Sequence, residues 1–347
     1  MRSSIRTIVT LGLLAVCVAL LTGRPAAGQE QQFGNLGDLK LVSGEVLHDC
    51  RIGYRTWGKL NADPSNAVLF PMWASGVTAQ VAGSVGPGKL LDSSQDYIIA
   101  VDPLTNGVSS SPSNSAAQPR MKFPRITVRD MVNSEYRLLT GVLHIRHLKA
   151  VLGTSMGGMQ TFQWMVTYPD FMDKAVPIVG SPQLAPYDLL LWQTQIDAIT
   201  HDSGWRNGDY TEQPARRVRA EIGPLVLTTP QAYNQRTRRG DVLPQIDRAA
   251  AESPVFDAND DVRQMQAIMS LDVSDAFGGS LERAAAAVKA RVLVIVSKSD
   301  HVVTPGPALA FAKLVHAEVL ELDDDCGHLA SVCDGPRIDA AVREFLR

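Results

Sequence analysis

Cysteine is scarce in this chain, four in 347 residues, which excludes a small scaffold held together by disulfides. None of the four has a CxxC partner or a histidine at ligand spacing, so no zinc or other metal site is expected, and nothing calls for a cofactor. Basic tracts are missing as well, and basic residues do not interleave with aromatics. With a formal charge of −3, that argues against nucleic acid as a partner. No internal repeat and no low-complexity segment occurs, which excludes solenoids and disordered linkers. Long apolar runs are absent apart from residues 8–21, a stretch too short for a comfortable membrane span.

That one run has neighbours that explain it. Arg2 and Arg6 precede it, and Ala26-Ala27-Gly28 follows with the small residues a cleavage site needs. Residues 1–28 therefore read as a secretory signal peptide, giving an exported protein, periplasmic or secreted, with no membrane attachment after cleavage. An uncleaved anchor is the alternative. Cys17 suggests a lipoprotein, but Val16 stands where a small residue is wanted. Export would leave Cys50, Cys326 and Cys333 in an oxidising compartment that permits one disulfide. Cys326 and Cys333 are the nearest pair, and three buried thiols are the other reading.

Apolar residues make up 45% of the chain and charged ones 20%, the balance of an ordinary globular protein. The length suits one large α/β domain with an inserted subdomain, or two smaller domains. Residues 29–36 are polar and read as a loose segment, and residues 39–57 alternate apolar with polar like an antiparallel hairpin. Beyond them the pattern changes. Short apolar runs at 66–72, 97–101, 148–152, 174–179, 291–296 and 317–322 fit strands buried on both faces of a parallel sheet. Helix-length stretches at 127–143, 156–168, 307–315 and 338–346 lie between them or close the chain. The fold class is α/β, with a doubly wound, mostly parallel sheet.

The alternation breaks between residues 181 and 287. Helical patterns occur at 187–200, 214–222 and 260–270, with no run of the buried-strand kind. A core of residues 29–180 and 288–347 with a helical lid inserted at 181–287 is therefore expected. Such a lid would sit over the C-terminal strand ends, where ligands bind in open α/β sheets.

Gly153-Thr154-Ser155-Met156-Gly157 follows a predicted strand and precedes a predicted helix. Strand, sharp turn and helix are the context of a G-x-S-x-G nucleophile elbow, which presents its serine at the sheet edge. A serine nucleophile needs a base and an acid to orient it, arriving along the chain in the order serine, acid, histidine. Asp300 ends the run VLVIVSKSD, and His328 follows the last strand in DDDCGH. Ser155, Asp300 and His328 are thus the candidate catalytic residues. His301 adjoins the acid, while Asp323, Asp324 and Asp325 are its rivals and read as solvated loop residues. The oxyanion hole is assigned to the backbone N–H groups of Met156 and Ala74, with Trp73 second. Trp73 is also a candidate pocket wall.

The elbow and this chain order resemble α/β-hydrolases. Within them the chain resembles the homoserine O-acetyltransferase family over most of residues 50–335. The likeness rests on YRTWGKLN at 54–61, FPRITVRDMV at 123–132, GTSMGGMQ at 153–160, Trp164, Tyr168-Pro169-Asp170 and WRNGDY at 205–210. Asp300 and Gly327-His328 occupy the family's acid and base positions, and Tyr210 becomes a pocket candidate through its segment. The resemblance implies acyl transfer, with two departures. The family's acetyltransferases have an aspartate after the histidine, where this chain has Leu329, and an arginine in the inserted region, where it has Ala220 unless Arg219 serves from a shifted register. Without both ends of an amino-acid clamp, homoserine fits poorly.

An exported carboxylic-ester hydrolase working on a small-molecule ester is therefore the leading expectation. Acyl transfer to an alcohol other than homoserine is the first alternative, and a non-catalytic binding module on a hydrolase scaffold the second. A homodimer is left open.

Overall fold

A computed structural model describes residues 30–252 and 256–347. The expected signal peptide, with Cys17, lies outside the described residues. Eight strands form one sheet in the order β1-β2-β4-β3-β5-β6-β7-β8. They are β1 (Gln32–Lys40), β2 (Val46–Trp57), β3 (Ala67–Pro71), β4 (Tyr97–Val101), β5 (Leu148–Thr154), β6 (Met172–Ile178), β7 (Arg291–Ser297) and β8 (Glu318–Leu322). The pairs β1–β2 and β2–β4 are antiparallel, and every pair from β4 through β8 is parallel. The expected mostly parallel sheet is what the chain forms.

Burial follows position in the sheet. All five residues of β3 are buried, while edge strand β8 exposes most of its side chains. One expectation needs correction at the other edge. Residues 29–36 were expected to be loose, yet β1 begins at Gln32, which pairs opposite Tyr54. An edge strand with one wet face needs only occasional apolar residues, and here Leu36 and Leu39 supply the buried positions.

The helices cover both faces. Between β4 and β6 run α1 (Val128–Arg137) and α2 (Met156–Thr167), and the chain closes with α9 (Pro305–Leu314), α10 (Ala330–Cys333) and α11 (Gly335–Leu346). Helix α1 starts at Thr127 through a reciprocal cap: Asp130 N–H donates to Thr127 Oγ1 at 3.1 Å, and Thr127 N–H donates to Asp130 Oδ2 at 2.8 Å. It ends sooner than expected, with residues 138–142 forming a wider turn. On one face of the sheet Phe162, Trp164 and Phe311 anchor the larger core. On the other, Phe70, Ile98, Leu152 and Ile295 pack against Ile338 and Phe345 of α11.

Between β6 and β7 lie α3 (Pro186–Thr200), α4 (Arg216–Leu227), α5 (Pro230–Arg236), α6 (Val242–Ala251), α7 (Ala258–Met269) and α8 (Leu281–Ala287). This half-layer is uneven. Ile199 of α3 and Val262 and Ile268 of α7 are fully buried, whereas α4 and α6 hold no buried residue. Helices α5, α6 and α8 were not anticipated, because short or exposed helices carry little apolar periodicity.

A buried acid stands in the larger core. Glu135 accepts from Trp164 Nε1 at 2.6 Å, beside the aromatic group of Tyr136, Tyr168 and Phe171. Burial pushes its carboxyl from 4.5 up to about 8. The folded protein therefore keeps this proton to a higher pH than the unfolded chain does. Its contribution is fully present at the acid end and declines as pH rises from about 4.5 through 8. Glu135→Gln keeps an acceptor for Trp164 without the titration, so the fall in melting temperature between pH 5 and 8 should shrink. Asp260, raised by burial to about 7, acts in the same direction, as do the carboxyls of Asp188 and Asp261, also raised by burial. Melting curves across that range check this, and an unaltered slope would reject it.

Candidate active site

The centre of the site is the turn from β5 into α2. Ser155 sits there with φ 58° and ψ −120°, a conformation that costs energy and lifts its side chain clear of the sheet. Its N–H donates to Ile178 O at 2.9 Å, tying the turn to β6. The flanking glycines are required by close approach. A Cβ at Gly153 would meet Gly157 O at 2.1 Å, and one at Gly157 would meet Pro71 O at 2.3 Å.

Two further strand ends complete the arrangement. Asp300 follows β7, and its Oδ1 accepts from Val302 N at 2.8 Å and Val303 N at 3.0 Å. Its other oxygen lies 2.8 Å from His328 Nδ1, and His328 Nε2 lies 2.8 Å from Ser155 Oγ. Asp300 and His328 are both buried. The structure thus joins all three predicted residues in one hydrogen-bonded chain. This chain can hold the imidazole so that Nε2 receives the serine proton.

The rival acids face elsewhere. Asp323 pairs with Lys298 at 3.3 Å, and Asp324 Oδ1 accepts from Cys326 N at 2.7 Å. Asp325 accepts through its carbonyl from Thr229 Oγ1 at 2.7 Å and through Oδ2 from Gln231 Nε2 at 2.7 Å. These bonds dock the histidine loop on α5, a connection with no local sequence signature. Cys326 and Cys333 form a disulfide that brackets His328, while Cys50 remains a buried thiol.

Breaking that bracket should loosen the base. The double variant Cys326→Ser with Cys333→Ser should lose about 2–3 kcal/mol of stability, the loop-closure value for so short a ring. Its kcat should fall by up to about a hundredfold, as expected when a reacting group drifts by an ångström. Denaturant titration and turnover check both, and wild-type values in each would reject the role.

Of the oxyanion candidates, Met156 follows the serine in the chain and Ala74 lines the same cavity. Met156 opens α2, so its N–H has no intrahelical partner. Trp73 and Ala74 follow β3 in a turn closed by Gly76 N–H to Trp73 O at 3.0 Å and by Ser75 N–H to Gln264 Oε1 at 2.6 Å. Among the described residues neither the Trp73 nor the Ala74 N–H has a hydrogen-bond partner.

Ser155 and His328 open into a cavity of about 730 Å³, with Trp73, Ala74 and Leu329 in its wall. Tyr210 is a correction, for it does not line this cavity. Its hydroxyl accepts from Asn259 N at 3.1 Å and its ring stacks on Trp205 at 5.8 Å, so it secures the start of α7. His301 does not line the cavity either. The inserted helices contribute Trp192, one of the apolar residues the sequence offers there, and Leu227, for which sequence reasoning had no signal.

A second cavity of about 580 Å³ shares Ala74 and Trp192 with the first and includes Ala220 and Arg219. Arg219 does not stand in for the absent arginine. It donates to Asp261 at 2.5 Å and to Phe256 O at 3.1 Å. Among the described residues no group of three His, Cys, Asp or Glu side chains could hold a metal ion.

Comparison with known proteins agrees with this architecture. A family model described as alpha/beta hydrolase fold matches residues 88–332. An ethyl acetate hydrolase of Pseudomonas veronii is 33% identical over 90% of this chain and 94% of its own. A homoserine O-acetyltransferase of Symbiobacterium thermophilum is 31% identical over 89% of this chain and 92% of its own. Among solved structures, an acetylester hydrolase from Corynebacterium glutamicum superposes with TM-score 0.85 at 28% identity, covering 91% of this chain and 96% of that one.

Proposed function

The chain belongs to the α/β-hydrolase fold family, and on that footing we propose that this enzyme hydrolyses carboxylic esters through an acyl-serine intermediate. The observation that carries the proposal is the unbroken chain Ser155–His328–Asp300, with 2.8 Å at each link. Ser155 Oγ attacks the ester carbonyl as His328 Nε2 takes its proton. Asp300 holds the other ring nitrogen and stabilises the imidazolium. The N–H groups of Met156 and Ala74 receive the developing oxyanion. His328 then protonates the departing alcohol, and water, deprotonated by the same imidazole, releases the acid and restores the serine.

Hydrolysis is favoured over transfer to homoserine by Leu329 and Ala220, which offer no charge to an ammonium or a carboxylate. The likeness to a relative named ethyl acetate hydrolase supports the same choice. The likeness to homoserine O-acetyltransferases keeps acyl transfer to another alcohol as the second reading. The inserted helices act as a lid in this scheme, since Trp192 of α3 and Leu227 of α4 help wall the cavity. Export completes the proposal, supported by the leader-like residues 1–28 and by the Cys326–Cys333 bond, which an oxidising compartment would maintain.

The test is product analysis with short alkyl acetates, with and without added alcohols. Free acetate with no acylated alcohol is the expected result. Dominant formation of a new ester would install the transferase instead, and no turnover of any ester would remove both.

A further inference from the structure

The Ser155 cavity has a chemical character that the reaction itself does not require. It extends away from the serine between the β3–β4 connection, with Val81 and Leu90, and the C-terminal segment, with Val332 and Ile338. Leu227 and Trp73 add further apolar wall. Val332 is 75% exposed and Leu227 36%, though they come from separate elements, the disulfide-closed turn and the end of α4. Two large apolar side chains held open to water around one cavity gain from an apolar occupant. Of the charged groups in the wall, Lys89 donates to Gly83 O at 2.7 Å, and Asp339 stands in α11. The neighbouring cavity is different, with Arg216, Arg219, Asp261 and Gln264 in its wall.

We infer that the substrate carries an extended apolar arm, acyl chain or alcohol, which lies in the cavity between Leu90 and Val332 while its ester carbonyl meets Ser155. The inference rests on the ester-hydrolase reading and narrows it, since an acetyl group with a small alcohol leaves most of a 730 Å³ cavity unfilled. The contact is apolar burial, so selectivity grows with chain length. Each methylene that enters should raise kcat/KM by about fourfold, the factor for burying one CH₂.

Two ester series on the full protein test this: one fixes the alcohol and lengthens the acyl chain, the other fixes acetate and lengthens the alcohol. The expected result is a rise of that size per methylene in one series over several carbons, which also identifies the arm. Leu90→Trp, which fills the cavity, and Val332→Asp, which sets a charge at an exposed position in its wall, should each flatten the rise. Val332→Asp alters an exposed side chain, so it reads out even if the larger tryptophan impairs folding. Flat or falling profiles in both series, with short acetates turned over normally, would overturn the inference and leave the ester-hydrolase reading standing. A rise untouched by either variant would also overturn it. Failure to hydrolyse any member would strike the reading itself and the inference with it.

Discussion

Ser155→Ala should lower kcat by about 10⁴- to 10⁶-fold, the range for removing the nucleophile of a Ser–His–Asp arrangement. Thr154 and Ser331 also line the cavity, but among the described residues only the Ser155 hydroxyl is hydrogen-bonded to His328 Nε2. The elbow aims one hydroxyl at His328 Nε2, at 2.8 Å. Residual turnover would come from the N–H groups of Met156 and Ala74 and from the cavity, which survive the change. KM should therefore move far less than kcat, and melting temperature should hardly move, because only one hydroxyl is lost. Steady-state kinetics beside a melting curve, with labelling by a fluorophosphonate, checks the whole pattern. Turnover within tenfold of wild type, or undiminished labelling, would show that another group is the nucleophile.

Asp300→Asn is the second large effect, about 10⁴-fold in kcat. The direction follows from the hydrogen bonds around the carboxylate. Val302 and Val303 both donate backbone N–H to Oδ1, at 2.8 and 3.0 Å, so an asparagine would turn its oxygen toward them. Its NH₂ would then face His328 Nδ1, where the carboxylate now accepts. An imidazole offered a donor at Nδ1 must carry its proton on Nε2. That proton points at Ser155 Oγ and blocks its deprotonation. The fold should survive the swap, since size and most bonds are kept. Activity within tenfold of wild type would mean that Asp300 only packs the loop.

The parts of this architecture legible in the sequence were those written into local pattern. Runs such as YIIAV and RVLVIV admit few environments besides a doubly covered strand, and both are strands. Ser155, Asp300 and His328 could be chosen because each follows such a run, and the structure brings them within hydrogen-bonding distance. Features built from distant residues were not legible. Gln32 pairs with Tyr54 across a sheet edge, where polar residues suffice. Tyr210 looked like a pocket residue from its segment, but its surroundings are decided by Asn259 and Trp205. The docking of the histidine loop on Thr229 and Gln231 joins positions nearly a hundred residues apart, beyond the reach of any local pattern.

Helices α4 and α6 bury no residue completely, yet Leu227 at the end of α4 stands in the wall of the reactive cavity. Substitution at the exposed positions of these helices, such as Leu225 and Leu243, should therefore cost the sheet and its cores little, within about 0.5 kcal/mol. Such changes can still reshape what reaches Ser155. One scaffold can in this way diversify its choice of substrate through outer, loosely committed helices, while the elbow, whose glycine positions leave no room for a side chain, stays as it is.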